Sequence, residues 1–250
     1  MKIATIDIET IPNQRIPELC KPCFDPDEIK TGNIKDPAKI AAKIQEAKES
    51  FESDIIKKMS VTPSLAQLCT FVGIQYDTTT EEVINKTSIQ VTKEYDADDY
   101  DAVSEGWQFI RMAHNSKIPI VSFNGIGFDL PVLWHRAIAQ DIPVDQRMYA
   151  RVTPRYGGYL HYDLLGLLAG WTLDKMKGHN LEFFLNLYGI GTKGGMDGSK
   201  VYEAWQLGEY NKIQQYCESD VLQTCKLFQR VESWVSIEKE DYEHGNSITS

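Results

Sequence analysis

The chain opens with the stretch MKIATIDIET, residues 1–10. Its alternating β-branched residues predict a strand. Asp7 and Glu9 are two positions apart, so both carboxylates point to one face of that strand, while Ile6 and Ile8 point to the other. Two neighbouring carboxylates repel each other unless a cation lies between them. The pair therefore predicts a cation site on the first strand or, alternatively, a strand end whose outer face is solvated.

The order of predicted elements is that of an α/β fold with a mixed β-sheet flanked by helices. The first strand is followed by a proline-rich stretch and an amphipathic helix over 37–59, which together form a helical insertion over about 13–61. A basic, aromatic loop covers 145–159, a polar tail follows about residue 236, and we expect a single domain over 1–250. The other predicted elements are strands at 65–76, 86–92 and 118–123 and helices at about 100–115, Leu130–Gln140 and Leu207–Trp234.

The composition is that of an ordinary globular protein, which excludes disorder, collagen and coiled coil as the main state. The 250 residues carry 26 basic and 36 acidic side chains, a net charge of −10. A protein that coats nucleic acid without specificity is basic, so the charge by itself argues against a nucleic-acid partner. The net-positive stretch is 136–200, with 8 basic and 6 acidic residues, and it is the first place to look for phosphate contacts.

Targeting signals are not evident in the sequence. The start of the chain turns acidic too early for a signal-peptide core, and there is no apolar run of about 18 residues. We therefore expect a cytoplasmic protein with no membrane span. Five cysteines argue against a disulfide framework. Cys20 and Cys23 form CKPC, which is half of a zinc site at best, so we expect incidental thiols, with a metal or redox role as the alternative.

Two further acids occupy positions where sites are built. Asp129 ends the segment NGIGFD directly after the predicted buried strand, and open sheets place sites in loops at strand ends. The alternative is that Asp129 caps the helix beginning at Leu130. Asp220 lies in the last helix, four residues after Tyr216, so phenol and carboxylate share one face. The alternative there is an exposed helix acid beside a half-buried tyrosine.

The four acids together indicate more than each does alone. Mg²⁺ prefers oxygen ligands and keeps several waters. Two such ions about 4 Å apart can clamp the attacking and leaving oxygens of a phosphoryl transfer. Carboxylates from a first strand, a mid-chain strand end and a late helix are a suitable cage for them.

The order of these motifs resembles that of the DEDD-type 3′–5′ exonucleases of the tyrosine subclass. It is similar in particular to the stand-alone exonucleases related to the proofreading domain of family B DNA polymerases. The resemblance covers the first strand and most of 62–235, but neither the insertion over 13–61 nor the tail. The segments that carry it are DIET (7–10), SFNGIGFD (122–129), GGMDGSKVYEAW (194–205) and YCESD (216–220).

The resemblance implies an RNase H-like fold and a metal-dependent exonuclease that releases nucleoside 5′-monophosphates. Asp7 would bridge two divalent cations, Mg²⁺ or Mn²⁺, and Tyr216 would orient the attacking water or help to deprotonate it. Thr10 would meet the terminal nucleotide, and Asn124 and Phe128 would lie near the substrate. The implied metal ligands are Asp7, Glu9, Asp129 and Asp220.

Three remaining features receive a weaker interpretation. GIGTKG (189–194) matches a phosphate-binding pattern but follows no strand, so we discount it, while Lys193 is expected to touch a phosphate or else to be a solvated loop lysine. The RVTPRYGGYLH stretch (151–161) mixes arginines with tyrosines, which suits single-stranded nucleic acid or a bland surface loop. His161 and Asp163 predict a strand-to-helix junction in which Asp163 is the cap.

We therefore expect a 3′–5′ exonuclease acting on single-stranded or frayed DNA 3′ ends. The same chemistry on RNA and a non-catalytic nucleic-acid or partner-binding module are the alternatives. A separate polymerase or a repair complex is a candidate partner, which leaves roles in DNA replication, proofreading, DNA repair and degradation open.

Overall fold

A mixed β-sheet with strand order β3-β2-β1-β4-β5 forms the centre of the part of the chain that the structure describes. The structure is a computed structural model and describes residues 1–95, 97–153, 160–172, 178–192 and 195–235. Strand β1 pairs antiparallel with β2 and parallel with β4, and β5 continues parallel to β4. The strands are β1 (Lys2–Pro12), β2 (Ala66–Asp77), β3 (Glu82–Gln90), β4 (Ile120–Ser122) and β5 (His161–Asp163).

Helices cover both faces of the sheet, which confirms the predicted α/β class. Within the described residues they are α1 (Pro37–Ser60), α2 (Tyr100–Asn115), α3 (Asp129–Ala139), α4 (Gln146–Val152), α5 (Leu164–Ala169), α6 (Leu181–Leu187), α7 (Val201–Gln206) and α8 (Tyr210–Val235). In that same part of the chain, no helix is both long and apolar enough to cross a membrane.

Strand β1 contributes to the cores on both faces of the sheet. Ala4, Ile6 and Ile8 pack into the cluster that contains α2 and α3. Ile3 faces the opposite cluster, which contains α8. Because side chains alternate along a strand, Asp7 shares the α8 face with Ile3. The predicted alternation of the first strand is therefore confirmed, and it points the acids toward the last helix.

The insertion between the first two strands contains the predicted helix. Helix α1 begins after Asp36, whose side chain accepts a hydrogen bond of 2.9 Å from the Ala38 amide, and it ends at Ser60. There the Thr10 hydroxyl donates a 2.7 Å hydrogen bond to the Ser60 carbonyl oxygen. The C-terminal end of the insertion is thus attached to β1 one residue after Glu9.

The structure corrects several predicted boundaries. The helix predicted over Leu207–Trp234 begins at Tyr210 instead. A separate helix, α7, precedes it, and Gly208 turns the chain between α7 and α8 with a φ of +76°. The predicted loop 145–159 begins with a helix, α4, because Asp145 caps it through the amides of Arg147 and Met148. Strand β3 starts at Glu82, earlier than predicted, and β4 is shorter than its apolar run. Residues 154–159 and the tail from 236 lie outside the described residues.

A buried ion pair joins α2, α3 and the start of β2. Asp99 has no exposed surface, and its carboxylate accepts bonds of 2.9 and 2.7 Å from the Arg136 guanidinium and 2.6 Å from the Gln140 amide. It also accepts a 3.0 Å bond from the backbone amide of Leu68, beside the point where the β1–β2 register shifts. Every acceptor position of this buried carboxylate is used, which is the condition for a tolerable buried charge.

Replacing Asp99 by asparagine should destabilise the protein strongly. The variant leaves the buried Arg136 charge without its anion, so we expect the free energy of unfolding in a denaturant titration to fall by about 3–5 kcal/mol. Asp98→Asn is the matched control, because the Arg15–Asp98 pair of 3.3 Å is exposed. That change should cost less than about 1 kcal/mol. Equal stability of the two variants would contradict the role given to Asp99.

Candidate functional site

Two carboxylates and a thiol lie together where β1 faces α8. One oxygen each of Asp7 and Glu9 and the sulfur of Cys217 all lie within 4.8 Å of one another. The Cys217 thiol donates a 3.4 Å hydrogen bond to Asp7 Oδ2. The two acids are half-buried, so the predicted alternative of a fully solvated strand end does not describe them. These donors could hold a divalent ion.

Asp129 reaches the same strand from the start of α3. It is 3% exposed, and its Oδ1 accepts a 3.1 Å hydrogen bond from the backbone amide of Ile8. Strand β4 pairs with β1 only at Ala4 and Thr5, so the Asp129 side chain serves a β1 amide beyond the end of β4. The alternative that Asp129 caps a helix beginning at Leu130 is wrong, because α3 begins at Asp129 and has no side-chain cap.

Asp220 and Tyr216 face the acids from α8. Both are 6% exposed, and their side chains are hydrogen-bonded to each other. Their spacing of one helical turn places both on the helix face that β1 covers, in agreement with the sequence pattern. The alternative of an exposed helix acid is therefore wrong for Asp220.

The electrostatics of the site reflect the crowding of its carboxylates. Burial raises the pKa of the Asp7 carboxyl well above its usual range, and the charges of Asp129, Glu9 and Asp220 raise it further. The other three predicted acids therefore all lie close enough to act on Asp7. A divalent cation would relieve this repulsion, and hard carboxylate oxygens are the ligands that Mg²⁺ and Mn²⁺ prefer. The donor set fits such ions.

Burial also controls the protonation of the neighbouring groups. It raises the pKa of the Tyr216 phenol far above its ordinary value, with further contributions from Glu9 and Asp220. It likewise raises the pKa of the Cys217 thiol, and the Asp7 charge adds to this. Both groups are therefore protonated at neutral pH and act as hydrogen-bond donors toward the carboxylates.

Cys217 is the site residue that the sequence interpretation missed. It is fully buried and is one of the three donor groups of the cluster. A signal was available, because Cys217 precedes Asp220 by three positions and therefore lies on the same face of the helix. The sequence interpretation considered the cysteines only as disulfide partners and as the CKPC pair. The two cysteines of that pair are exposed free thiols in the structure.

Asp163 holds the loop that carries Asp129. Its carboxylate accepts bonds of 2.9 Å from the amides of Asn124 and Ile126, as well as a 3.4 Å bond from Gly166 at the start of α5. The predicted strand-to-helix junction with Asp163 as cap is thus confirmed, with the loop contacts in addition. His161 is buried and contacts the Ser122 hydroxyl at 2.8 Å and the Val152 carbonyl oxygen at 2.5 Å.

The predicted substrate residues have different surroundings. Thr10 is attached to Ser60 and lines a cavity of about 510 Å³ that is described further below. Asn124 adopts a φ of +70° in the loop that Asp163 holds, and Phe128 packs partly buried against the α2–α3 core. Lys193 lies outside the described residues, so its predicted phosphate contact stays a prediction.

A cleft of about 850 Å³ opens beside Tyr216. Its walls come from the segment 195–197, from α7 and from the first three turns of α8. Charged side chains of both signs line it, among them Lys200, Glu203 and Lys212. The cleft adjoins the acid cluster through Tyr216.

The sequence over residues 64–249 matches the family described as predicted 3′–5′ exonucleases related to the exonuclease domain of PolB. The chain belongs to this family. The match contains Asp129, Tyr216 and Asp220, whereas Asp7 and Glu9 on β1 precede it. Membership makes the chain an enzyme of the 3′–5′ exonuclease class, which confirms what the motif resemblance implied. Curated proteins include no match to this chain.

Solved structures of similar fold include a polymerase and an exonuclease. The family B DNA polymerase from the hyperthermophilic archaeon Pyrobaculum calidifontis has a TM-score of 0.56 and 17% identity, over 93% of this chain and 24% of the polymerase. Exonuclease I of E. coli has a TM-score of 0.39 and 14% identity, over 98% of this chain and 43% of that one. The chain spans less than half the length of either protein. The polymerase likeness confirms the RNase H-like mixed sheet flanked by helices.

Replacing Asp129 by asparagine should stabilise the ion-free protein increasingly as the pH rises. Burial, and then the Asp163 charge, raise the pKa of Asp129 from 3.8 to about 7. An acid whose folded-state pKa is raised weakens the fold as the pH rises from its unfolded toward its folded pKa. The asparagine variant, which keeps an oxygen acceptor for the Ile8 amide, avoids this loss.

The stability of Asp129→Asn relative to wild type should therefore increase by about 2–3 kcal/mol between about pH 5 and about pH 8. Denaturant titrations in EDTA measure it, with Asp98→Asn as the matched control. A stability difference that does not change with pH would contradict this account of Asp129.

Proposed function

We propose that this chain is a metal-dependent 3′–5′ exonuclease that removes nucleoside 5′-monophosphates from DNA 3′ ends. The observation that carries the proposal is the convergence of four carboxylates from β1, α3 and α8, in which Asp129, Glu9 and Asp220 all lie close enough to Asp7 to raise its pKa. Membership in the PolB-related exonuclease family supports the direction of degradation. The assigned set is Asp7, Glu9, Asp129 and Asp220 as metal ligands, with Tyr216 as a catalytic neighbour.

The four carboxylates would hold two divalent cations, Mg²⁺ or Mn²⁺, with Asp7 between them. Divalent ions in such a position supply Lewis-acid stabilisation of the attacking and leaving oxygens. The protein's own contribution is to hold the acids in place and to offset part of the cost of ionising them. The bond from the Ile8 amide to Asp129 and that from the Cys217 thiol to Asp7 both favour the charged carboxylates.

Tyr216 would orient the attacking water or help to deprotonate it. In the ion-free protein, burial raises the pKa of its phenol, and the neighbouring acids raise it further, so the phenol is a hydrogen-bond donor. Its hydrogen bond with Asp220 keeps the ring beside the acid cluster.

DNA is the substrate that the comparisons favour. The family is related to the exonuclease domain of a DNA polymerase, and the fold is similar to that of a family B DNA polymerase. The open cleft beside Tyr216 suits a single strand or a frayed end. Within this proposal Thr10 contacts the terminal nucleotide, and Asn124, Phe128 and Lys193 lie along the substrate.

Residues 1–250 would act as one exonuclease domain in the cytoplasm. A polymerase or a repair complex from another chain is the partner that a proofreading or repair role requires. RNA is the second candidate substrate, and a matched pair of DNA and RNA oligonucleotides separates the two, because only a site that senses the 2′-hydroxyl discriminates between them.

Loss of either Asp7 or Asp220 should abolish hydrolysis. Asp7→Asn and Asp220→Asn should each lower kcat by about 100-fold or more, which corresponds to about 3 kcal/mol of activation free energy. The measurement follows the successive shortening of a 5′-labelled oligonucleotide from its 3′ end. Glu218→Gln is the matched control on the same helix, because Glu218 pairs with Lys86 at 3.0 Å on the β3 side. Full activity in either aspartate variant would overturn the proposal.

Ion binding should also be visible without activity. Mn²⁺ at about a hundredfold excess over its Kd should raise the Tm of the wild-type protein by about 5–10 °C. Asp7→Asn should have a higher Tm than wild type in EDTA, since one of the repelling charges is removed, and a much smaller rise with Mn²⁺. An unchanged ion response in Asp7→Asn would remove this residue from the ligand set.

A further inference from the structure

A second cavity lies between the inserted helix and the segment that leads into α7. It has a volume of about 510 Å³, within the range of ligand-binding pockets. One wall is the C-terminal end of α1, and the opposite wall is formed by 198–200 and by α7. We call it the insertion groove, and the residues used below are Ile56, Lys57, Lys58, Val61, Lys200 and Tyr202.

The insertion groove adjoins the acid cluster at two points. Thr10, which lines the groove, directly follows Glu9 on β1. Gly198 also lines it, and a Cβ atom at that position would lie 3.6 Å from the Tyr216 hydroxyl oxygen. Lys200 lines both the groove and the cleft beside Tyr216. A strand whose end lies at the acids can therefore continue into the groove.

The charge of the groove is opposite to that of the whole protein. Lys57 and Lys58 are exposed at the end of α1, and Lys200 lies on the facing wall. The acid among the lining residues, Glu203, is paired with Lys200 at 3.3 Å. Exposed pairs of this kind contribute little, so Lys200 can exchange its partner for a phosphate. The result is a local positive charge in a chain whose net charge is −10.

The same groove also has an apolar surface. Val61 is 68% exposed and Ile56 is 39% exposed, which leaves apolar area open to the solvent. Tyr202 is half-buried on the facing wall, where it stacks on Trp205 with an interplanar angle of 13°. Positive charge combined with an aromatic ring and apolar side chains is the pattern that single-stranded nucleic acid requires.

We propose that the insertion groove binds the nucleotides of a single strand that lie immediately upstream of its 3′-terminal nucleotide. Lys57 contacts a phosphate, and Lys58 does so once its ammonium, which lies 5.7 Å from the centroid of the Phe51 ring, turns toward the strand. Tyr202 and its apolar neighbours contact sugar and base. This inference rests on the proposed function, since it takes the acids as the place of the strand end. The wall that α1 forms precedes the matched range 64–249, whereas the facing wall lies within it.

The other explanation for the two lysines is local. Basic residues in the last turn of a helix stabilise its negative end. That explanation predicts a small loss of thermal stability when the lysines are removed and no effect on nucleic acid. The experiment therefore measures binding and Tm on the same variants.

The test is the double variant Lys57→Gln/Lys58→Gln with a fluorescent single-stranded DNA 12-mer in EDTA, read by anisotropy. The Kd should rise at least about fivefold, and the slope of log Kd against log salt should fall by about 1.4, the value for two lost phosphate contacts.

The matched control is Lys35→Gln/Lys39→Gln, which changes exposed lysines at the opposite end of α1. The 18 residues from Lys39 to Lys57 correspond to about 27 Å of helix. This control should bind as wild type does, and Lys57→Arg/Lys58→Arg should restore binding.

Kinetic measurements distinguish a failure of the groove inference from a failure of the proposed function. If the wild-type protein hydrolyses DNA, the ratio of kcat/KM for the 12-mer to that for a dinucleotide should fall about fivefold or more in Lys57→Gln/Lys58→Gln. An unchanged ratio and Kd in an active enzyme would overturn the groove alone. Groove-dependent binding without any hydrolysis would support the groove and overturn the proposed function. Absence of oligonucleotide binding by the wild-type protein would overturn the inference.

Discussion

The repulsion among carboxylates at the β1–α8 interface limits how the centre of the sheet can be built. A strand that carries two acids on one face must still bury apolar side chains on the other. Strand β1 does so because it lies in the middle of the sheet, where Ala4, Ile6 and Ile8 complete the core with α2 and α3. Helix α8 then closes the acidic face with Tyr216, Cys217 and Asp220. A central strand is thus both the centre of the core and the floor of the site.

Three buried aspartates support this arrangement by bonding to backbone amides near strand ends and in the loop after β4. Asp99 serves the amide of Leu68 beside the register shift of β2, and Asp129 serves that of Ile8 beyond the end of β4. Asp163 serves two amides of the loop that carries Asp129. Because buried amides require partners, these side chains hold the irregular backbone around the site. The geometry of the acids therefore depends on the ends of the inner strands and on the loop after β4 as much as on the acids themselves.

The negative charge of the chain is consistent with a nucleic-acid substrate once its distribution is known. Four of the 36 acids are the proposed ligands of divalent cations, and bound ions would offset their charge locally. The lysines at the end of α1 lie across the insertion groove from Lys200. A net charge of −10 still argues against non-specific coating of DNA. It is compatible with an enzyme that contacts a strand end locally.

Periodicity and short motifs within single elements were enough to predict the α/β order, the inserted helix and the family. They also predicted that Asp7 and Glu9 share one face of a strand, and that Tyr216 and Asp220 share one face of a helix. They could not predict that Asp129 bonds to Ile8, that Cys217 bonds to Asp7, or that α7 is separate from α8. Those contacts join residues distant in sequence or depend on a single turn, so local pattern does not encode them. Which amides remain open at the strand ends, and therefore which polar side chains approach them, follows from the packing of the strands and helices.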